Sequence, residues 1–368
     1  MQDEAKKVGV LMILQTRLNN LQEKLKEKHL DAVMITNSVN RSYITGFYGT
    51  AGYGIVTQDG AFLLTDFRYT QQATKQATYF EVIQFEGTPF ESINLLLKKH
   101  HIKTLGFEDK DITYSQYEQF KEKLEIGELI PIEDLIVDLR KIKDEAEISR
   151  MKEAARIADL AFSHIIKNIK PGMAELEVAF ELEFFMRRNG AKALSFDMIV
   201  ASGVRSSLPH GVATDKKIET GDLVTLDFGC IFEGYCSDMT RTIGIGTLNE
   251  KQKEIYNIVL GAQMKALESV IPGKKGKEID KIARDIIAGY GYEKNFGHGL
   301  GHGVGREIHE APRLSVLGEE ILKPGMVVTI EPGIYIEGFG GVRIEDMVVV
   351  TQEGIDNLTS STKELLII

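Results

Sequence analysis

The sequence predicts an α+β protein of two domains: an α/β domain over residues 1–140, then an α+β domain over residues 141–368 with an internal duplication. Three observations predict it. At about 150 residues per domain, 368 residues correspond to two domains that each bury a core. The first third alternates short β-rich runs with helical stretches. Beyond residue 140 the order of two helices followed by a strand pair occurs twice. With 43% apolar and 27% charged residues, the composition is that of an ordinary folded protein.

Leu14, Leu18, Leu21 and Leu25 recur at helical spacing among Arg17, Asn20, Glu23, Lys24 and Lys26, so an amphipathic helix opens the first domain. Runs at 32–35, 54–56, 62–64 and 80–83 read as strands, separated by Gly- and Asp-containing turns and by helical stretches such as 91–99. Residues 137–147 are densely charged, and Ile148, Met151, Ala155, Ile157, Ala158 and Ala161 then begin a long helix, which puts the boundary near residue 140. Helices at about 145–169 and 174–189 precede a strand pair at 222–245. Helices at about 250–271 and 277–290 precede a second pair at 325–351, and Pro171-Gly172 and Pro272-Gly273 mark the same place in each half.

Lysines and arginines number 44 against 54 acids, a net charge of −10, and this disfavours nucleic acid because phosphate binding needs the opposite sign. No apolar run reaches the 18 residues of a membrane span; the run at 8–14 is short, and Asp3 and Glu4 ahead of Lys6 and Lys7, with no small-x-small site after it, argue against a signal peptide. The expectation is a cytoplasmic protein with no membrane partner. The sequons at Asn40 and Asn357 carry no weight without a secretory signal. Cys230 and Cys236, the only cysteines, form no disulfide framework and read as buried thiols in a reducing compartment.

Thr225-Leu226-Asp227-Phe228-Gly229 and Tyr235-Cys236-Ser237-Asp238-Met239-Thr240 read as strands joined at Glu233-Gly234. That turn pairs Phe232 with Tyr235, Gly229 with Asp238 and Asp227 with Thr240, so Asp227 and Asp238 share a face. Two carboxylates in an apolar run call for a cation, unless the pair is a solvated hairpin edge. A second hairpin places Glu331 and Glu345 in β-branched runs about a midpoint at Gly338, with Arg343 on the face of Glu345 and Gly333 as a point of register interruption. Between the hairpins, residues 297–305 hold five glycines in nine, with His298, His302 and later His309; the spacing fits neither a dinucleotide fingerprint nor a phosphate loop. An imidazole with several carboxylates suits Mn²⁺, Co²⁺ or Zn²⁺, and two such ions would neutralise four acids. His29, His100, His101 and His164 lack such company and read as surface or core residues.

These residues resemble the pita-bread metallopeptidases, which include methionine aminopeptidase, aminopeptidase P and prolidase, over the whole chain from Met12. The family's ligand order Asp, Asp, His, Glu, Glu falls on Asp227, Asp238, His302, Glu331 and Glu345. The words around them match too: Leu226-Asp227-Phe228-Gly229, Ser237-Asp238-Met239-Thr240-Arg241-Thr242, Gly301-His302-Gly303-Val304-Gly305, Glu331-Pro332-Gly333-Ile334-Tyr335 and Gly341-Val342-Arg343-Ile344-Glu345-Asp346. The resemblance implies a creatinase-like N-terminal domain followed by a pita-bread catalytic domain with pseudo-twofold duplication. His210 in Ser207-Leu208-Pro209-His210-Gly211, together with His298, Tyr335 and Arg343, is similar to the proline-specific branch. Methionine aminopeptidases lack the N-terminal domain, and creatinases and histone-chaperone relatives lack the ligand set.

The resemblance further implies two divalent ions, Mn²⁺ foremost and Co²⁺ or Zn²⁺ as alternatives, that activate a hydroxide and polarise the scissile carbonyl. Glu331 would shuttle a proton to the leaving proline nitrogen, His210 and His309 would contact the peptide and its oxyanion, and His298, Tyr335 and Arg343 would bind substrate. For Arg343 a structural salt bridge is an equal alternative. The leading expectation is a Xaa-Pro aminopeptidase of the aminopeptidase P type, acting on short peptides with proline second. The alternative is prolidase, restricted to Xaa-Pro dipeptides; a peptide-binding scaffold without activity is the remaining reading. A homodimer is implied by the same resemblance, and residues 1–11 read as an upstream extension or a misassigned start.

Overall fold

The computed structural model describes residues 2–368, with side chains from Met12 onward, so the reading of residues 1–11 as an extension lies outside the described side chains. The chain forms two compact units, divided between Arg140 and Lys141.

In the first unit, α1 (Gln2–Glu27) leads into β1 (Ala32–Ile35), α2 (Ser38–Thr45), β2 (Tyr53–Thr57), β3 (Ala61–Thr65), α3 (Thr70–Gln76) and β4 (Glu81–Gln84). Next come α4 (Phe90–Lys99), β5 (Thr104–Phe107), α5 (Tyr114–Lys123), β6 (Glu128–Pro131) and α6 (Leu135–Lys141). The strands make one sheet in the order β4-β3-β2-β1-β5-β6. Period-two alternation divides β1 between two cores, as a sheet covered on both faces requires. Val33 and Ile35 join Leu18, Leu21 and Leu25 of α1, whereas Ala32 and Met34 join Ile93, Leu96 and Leu97 of α4.

The second unit holds α7 (Glu145–Ile165), α8 (Glu175–Arg188), β7 (Ala193–Leu194), β8 (Ile199–Ser202), β9 (Leu223–Phe228), β10 (Cys230–Phe232), β11 (Tyr235–Cys236) and β12 (Met239–Gly244). It continues with α9 (Glu250–Ser269), α10 (Gly276–Gly289), β13 (Gly301–Gly303), β14 (Glu310–Leu314), β15 (Val327–Ile330), β16 (Gly333–Ile336), β17 (Gly340–Arg343), β18 (Asp346–Val350) and β19 (Ile355–Asn357). The duplication is visible in its joints. Gly172 and Gly273 have φ of 92° and 93°, and each donates its N–H to a carbonyl later in its own half, that of Ile218 and that of Leu322. Glu177 caps Ala174 N ahead of α8, and Glu278 caps Lys275 N ahead of α10. Each helix pair covers its own half of the strands with a separate core. The halves meet where Glu345 N donates to Thr240 O at 3.1 Å and Arg343 N to Thr242 Oγ1 at 3.1 Å.

Candidate metal centre

Both hairpins break where their acids lie. Strands β9 and β12 set Asp227 opposite Thr240, and β10 and β11 set Phe232 opposite Tyr235. Their turn is Glu233-Gly234, with φ of 46° and 85°, the left-handed pair a two-residue hairpin loop needs. Gly229 interrupts the first strand, and a Cβ there would stand 1.9 Å from Ser237 O. In the second hairpin Ile330 pairs with Asp346 and Gly333 with Arg343, a single register that sets Glu331 opposite Glu345. The interruption expected at Gly333 does not occur. That residue is glycine because a Cβ would lie 2.5 Å from the hydroxyl of Tyr335. The glycines around His302 have a similar cause: a Cβ on Gly301 would stand 1.9 Å from Thr329 O, and one on Gly303 would stand 2.3 Å from Ala311 O. Strand β13 therefore lies close between its neighbours and carries His302 into the site.

One ligand atom each from Asp238, His302 and Glu345 lies within 4.8 Å of the others. His302 Nε2 is 3.6 Å from Asp238 Oδ2 and 3.3 Å from Glu331 Oε1. Thr240 Oγ1 donates to Glu345 Oε2 at 2.6 Å, and Thr329 Oγ1 to Glu331 Oε1 at 3.1 Å. Arg343 Nη2 donates to Asp227 Oδ2 at 2.5 Å, its Nη1 to Tyr335 OH at 2.8 Å and Pro209 O at 3.2 Å, and its Nε to Thr240 Oγ1 at 3.2 Å. Tyr335 OH in turn faces His298 Nε2 at 2.8 Å, while His298 Nδ1 faces Gly299 O at 2.8 Å. A carbonyl only accepts, so His298 carries its proton on Nδ1 and accepts from the tyrosine.

Three buried carboxylates and the partly buried Glu331 thus lie against the Arg343 guanidinium and the His302 imidazole. Burial, then the charge of Asp227, holds Asp238 well above the usual carboxylate range, and burial, then Asp238, does the same to Glu345. Burial also raises Asp227, against the pull of Arg343. Beside the Arg343–Asp227 pair, Glu331 and His302 form a second charged pair. Burial opposes it, but their hydrogen bond and mutual attraction bring Glu331 to about 2 and His302 to about 9. Excess negative charge is therefore relieved by protons, and a divalent cation would relieve it in their place.

The donor set fits such an ion. Asp227 Oδ1 is buried with no hydrogen-bond partner among the described residues, an unmet acceptor on a carboxylate of the cluster. His302 Nδ1 faces Gly303 O at 3.0 Å, which fixes a proton there, so an ion that displaced the proton on Nε2 would meet that nitrogen's lone pair turned toward the carboxylates, the tautomer a metal-binding histidine adopts. Oxygen-rich ligation with one imidazole suits Mn²⁺, Co²⁺ or Zn²⁺.

The structure brings Asp227, Asp238, His302, Glu331, Glu345, Arg343, Tyr335 and His298 into one connected cluster. The ring of His309 meets that of His302 edge-on at a centroid distance of 4.4 Å. Burial, then His302 and His210, lowers the pKa of His309 and favours its neutral form. His210 is exposed on the loop after a short 3₁₀ turn (Gly203–Ser207), and Arg343 holds the carbonyl of its neighbour Pro209. Sequence reasoning missed Thr240 and Thr329, which orient Glu345 and Glu331. Their signal was strand parity: Thr240 shares a face with Asp238, and Thr329 shares one with Glu331.

A model of metallopeptidase family M24 matches residues 149–352, and a creatinase/prolidase N-terminal domain model matches residues 17–142. The chain is 50% identical to the solved structure of a Xaa-Pro dipeptidase from Bacillus anthracis, with a TM-score of 0.94 over 96% of this chain and 100% of that one. It is 47% identical to a Xaa-Pro dipeptidase of Pyrococcus furiosus over 96% of this chain and 100% of the relative. An X-Pro aminopeptidase structure from Thermotoga maritima is 38% identical, with a TM-score of 0.88 over 92% of this chain and 98% of that one.

Proposed function

Because the chain belongs to metallopeptidase family M24 and carries the creatinase/prolidase N-terminal domain, we propose that it is a metal-dependent Xaa-Pro dipeptidase. The observation that carries the chemistry is the buried convergence of Asp238, His302 and Glu345 beside the unpartnered oxygen of Asp227. The relatives at 47% and 50% identity bear the dipeptidase name and the aminopeptidase stands at 38%, which favours the dipeptide substrate over the longer peptides of the leading expectation.

Asp227, Asp238, His302, Glu331 and Glu345 would hold two divalent ions, Mn²⁺ by preference. When bound, such ions acidify water and polarise a carbonyl oxygen. Glu331, steadied by Thr329, accepts the proton of the attacking water and passes it to the leaving nitrogen. That nitrogen belongs to a tertiary amide with no N–H, so a proton donor is required before proline departs. His309 and His210 donate to the substrate carbonyl oxygen as charge develops on it. Arg343, buttressed by Tyr335 and His298, keeps Asp227 charged and oriented. The same reading makes the protein a homodimer of a reducing compartment. Its two cysteines are buried and free, and no described helix is long and apolar enough to cross a membrane.

The test is hydrolysis of a Xaa-Pro dipeptide and its Xaa-Pro-Yaa extension, after chelation and with Mn²⁺, Co²⁺ or Zn²⁺ restored. Cleavage of the dipeptide alone is expected. Cleavage of the extended peptide would return the assignment to the aminopeptidase P type, and silence on both in metal-loaded protein would leave a binding scaffold.

A further inference from the structure

Between His302 and His309 the chain turns at residues 305–307, and one buried carboxylate holds the turn. Glu310 Oε1 accepts from Arg306 N at 3.0 Å and Glu307 N at 3.1 Å. Its Oε2 accepts from Lys143 Nζ at 3.2 Å, and the two side chains are 2% and 1% exposed. The carboxylate fills the space beside Gly305, where a Cβ would lie 2.5 Å from Oε2. Gly305 O accepts from Cys236 N at 2.8 Å, which ties the turn to the first hairpin. On its other side Glu310 pairs with Gly303, just where the register of β13 and β14 shifts. His309 is therefore clamped between a turn and a strand that the same residue anchors.

A buried ammonium–carboxylate pair is a poor stabilising device, since a packed apolar pair of similar volume does as well or better. Its backbone hydrogen bonds point to a different use. We propose that Glu310 is a positioning residue for His309, holding the 305–307 turn so that the imidazole meets the reacting centre, with Lys143 as the counter-charge that lets the carboxylate be buried. The inference rests on the reading that His309 contacts substrate. Displacing such a group by about 1 Å costs about 100-fold in rate.

Paired substitutions avoid stranding a buried charge. In full-length, metal-reconstituted protein assayed on a Xaa-Pro dipeptide, Lys143→Met with Glu310→Gln keeps a carbonyl for the two N–H groups and should hold kcat within a few-fold. Lys143→Met with Glu310→Ala should lower kcat about 100-fold, with KM and bound metal unchanged, and should add no further loss in a His309→Ala background. Equal losses in the Gln and Ala pairs, or a loss that multiplies with that of His309→Ala, overturn the inference. A His309→Ala protein with full kcat overturns both the inference and the role given to His309. If the alanine pair fails to fold, Gly305→Ala puts a methyl where the carboxylate lies. A comparable fall in kcat is expected there, and full kcat overturns the proposal.

Discussion

Glu345 and Asp346 are consecutive, both buried, and opposite in everything that follows from their surroundings. Asp346 accepts from Arg241 at 2.7 Å, Asn357 at 2.9 Å, Gln263 at 3.2 Å and Lys363 at 2.5 Å. Burial opposes its charge, but Arg241 and then Lys363 override it and hold its carboxyl below the usual range. Glu345, on the other face of the chain, accepts from Thr240 and shares its space with Asp238, Glu331 and Asp227. One carboxylate is complete within the protein and the other is not. Buried acidity alone therefore does not mark a metal site; acidity without its own cations does.

The sharpest way to break this comparison is to remove the incomplete acids. Asp238→Ala or Glu345→Ala should lose bound metal and turnover together, down to the background rate, as read by elemental analysis and dipeptide hydrolysis. Asp346→Ala leaves Arg241 and Lys363 facing a buried void and should cost about 3–5 kcal/mol in denaturant unfolding. Its folded fraction should still bind metal at native stoichiometry. Retained metal in the first pair, or lost metal in folded Asp346→Ala, contradicts the contrast.

Smaller changes sharpen it. His309→Ala should keep metal but lower kcat by about 10²–10⁴-fold, because the ring adjoins His302 without belonging to the acid cluster. Thr240→Val removes the hydroxyl that orients Glu345 and should weaken metal binding about 10–100-fold, measured by competition with a chromophoric chelator. The smallest effect concerns the sign of pH dependence in chelated protein. The depressed carboxyl of Asp346 contributes stability above the unfolded carboxylate pKa and loses it as pH falls through its folded pKa. The raised carboxyl of Glu345 binds its proton more tightly in the folded state, so stability falls as pH rises from the unfolded value through the folded one. In urea unfolding across about pH 2–8, the deficit of Asp346→Asn should grow as pH rises toward the unfolded carboxylate pKa and then level off, and Glu345→Gln should gain relative to the parent as pH rises beyond that value.

Much of this site was legible because hairpin register is arithmetic. A two-residue turn at Glu233-Gly234 and a midpoint at Gly338 are enough to pair Asp227 with Thr240 and Glu331 with Glu345. The long helices were legible from their apolar spacing. Strands β5 and β6 escaped notice because Gly106 and Pro131, residues that strands disfavour, break their short apolar runs. Strand β13 reads as a loop because its glycines record close backbone approach to Thr329 and Ala311 and carry no hydrophobic pattern. The anchoring of the His309 turn by Lys143 and Glu310 joins residues 167 positions apart and leaves no local trace. Sequence patterns thus pick out the candidate ligands, while the residues that hold them emerge only from packing.

The most direct measurement is metal stoichiometry after chelation and dialysis against Mn²⁺, taken in parallel on the parent, Asp346→Asn and the Asp238→Ala, Glu345→Ala double variant. Two bound ions per chain in the first two proteins and none in the third are expected. Equal metal content in all three folded proteins would contradict the assignment of the incomplete acids as the metal centre.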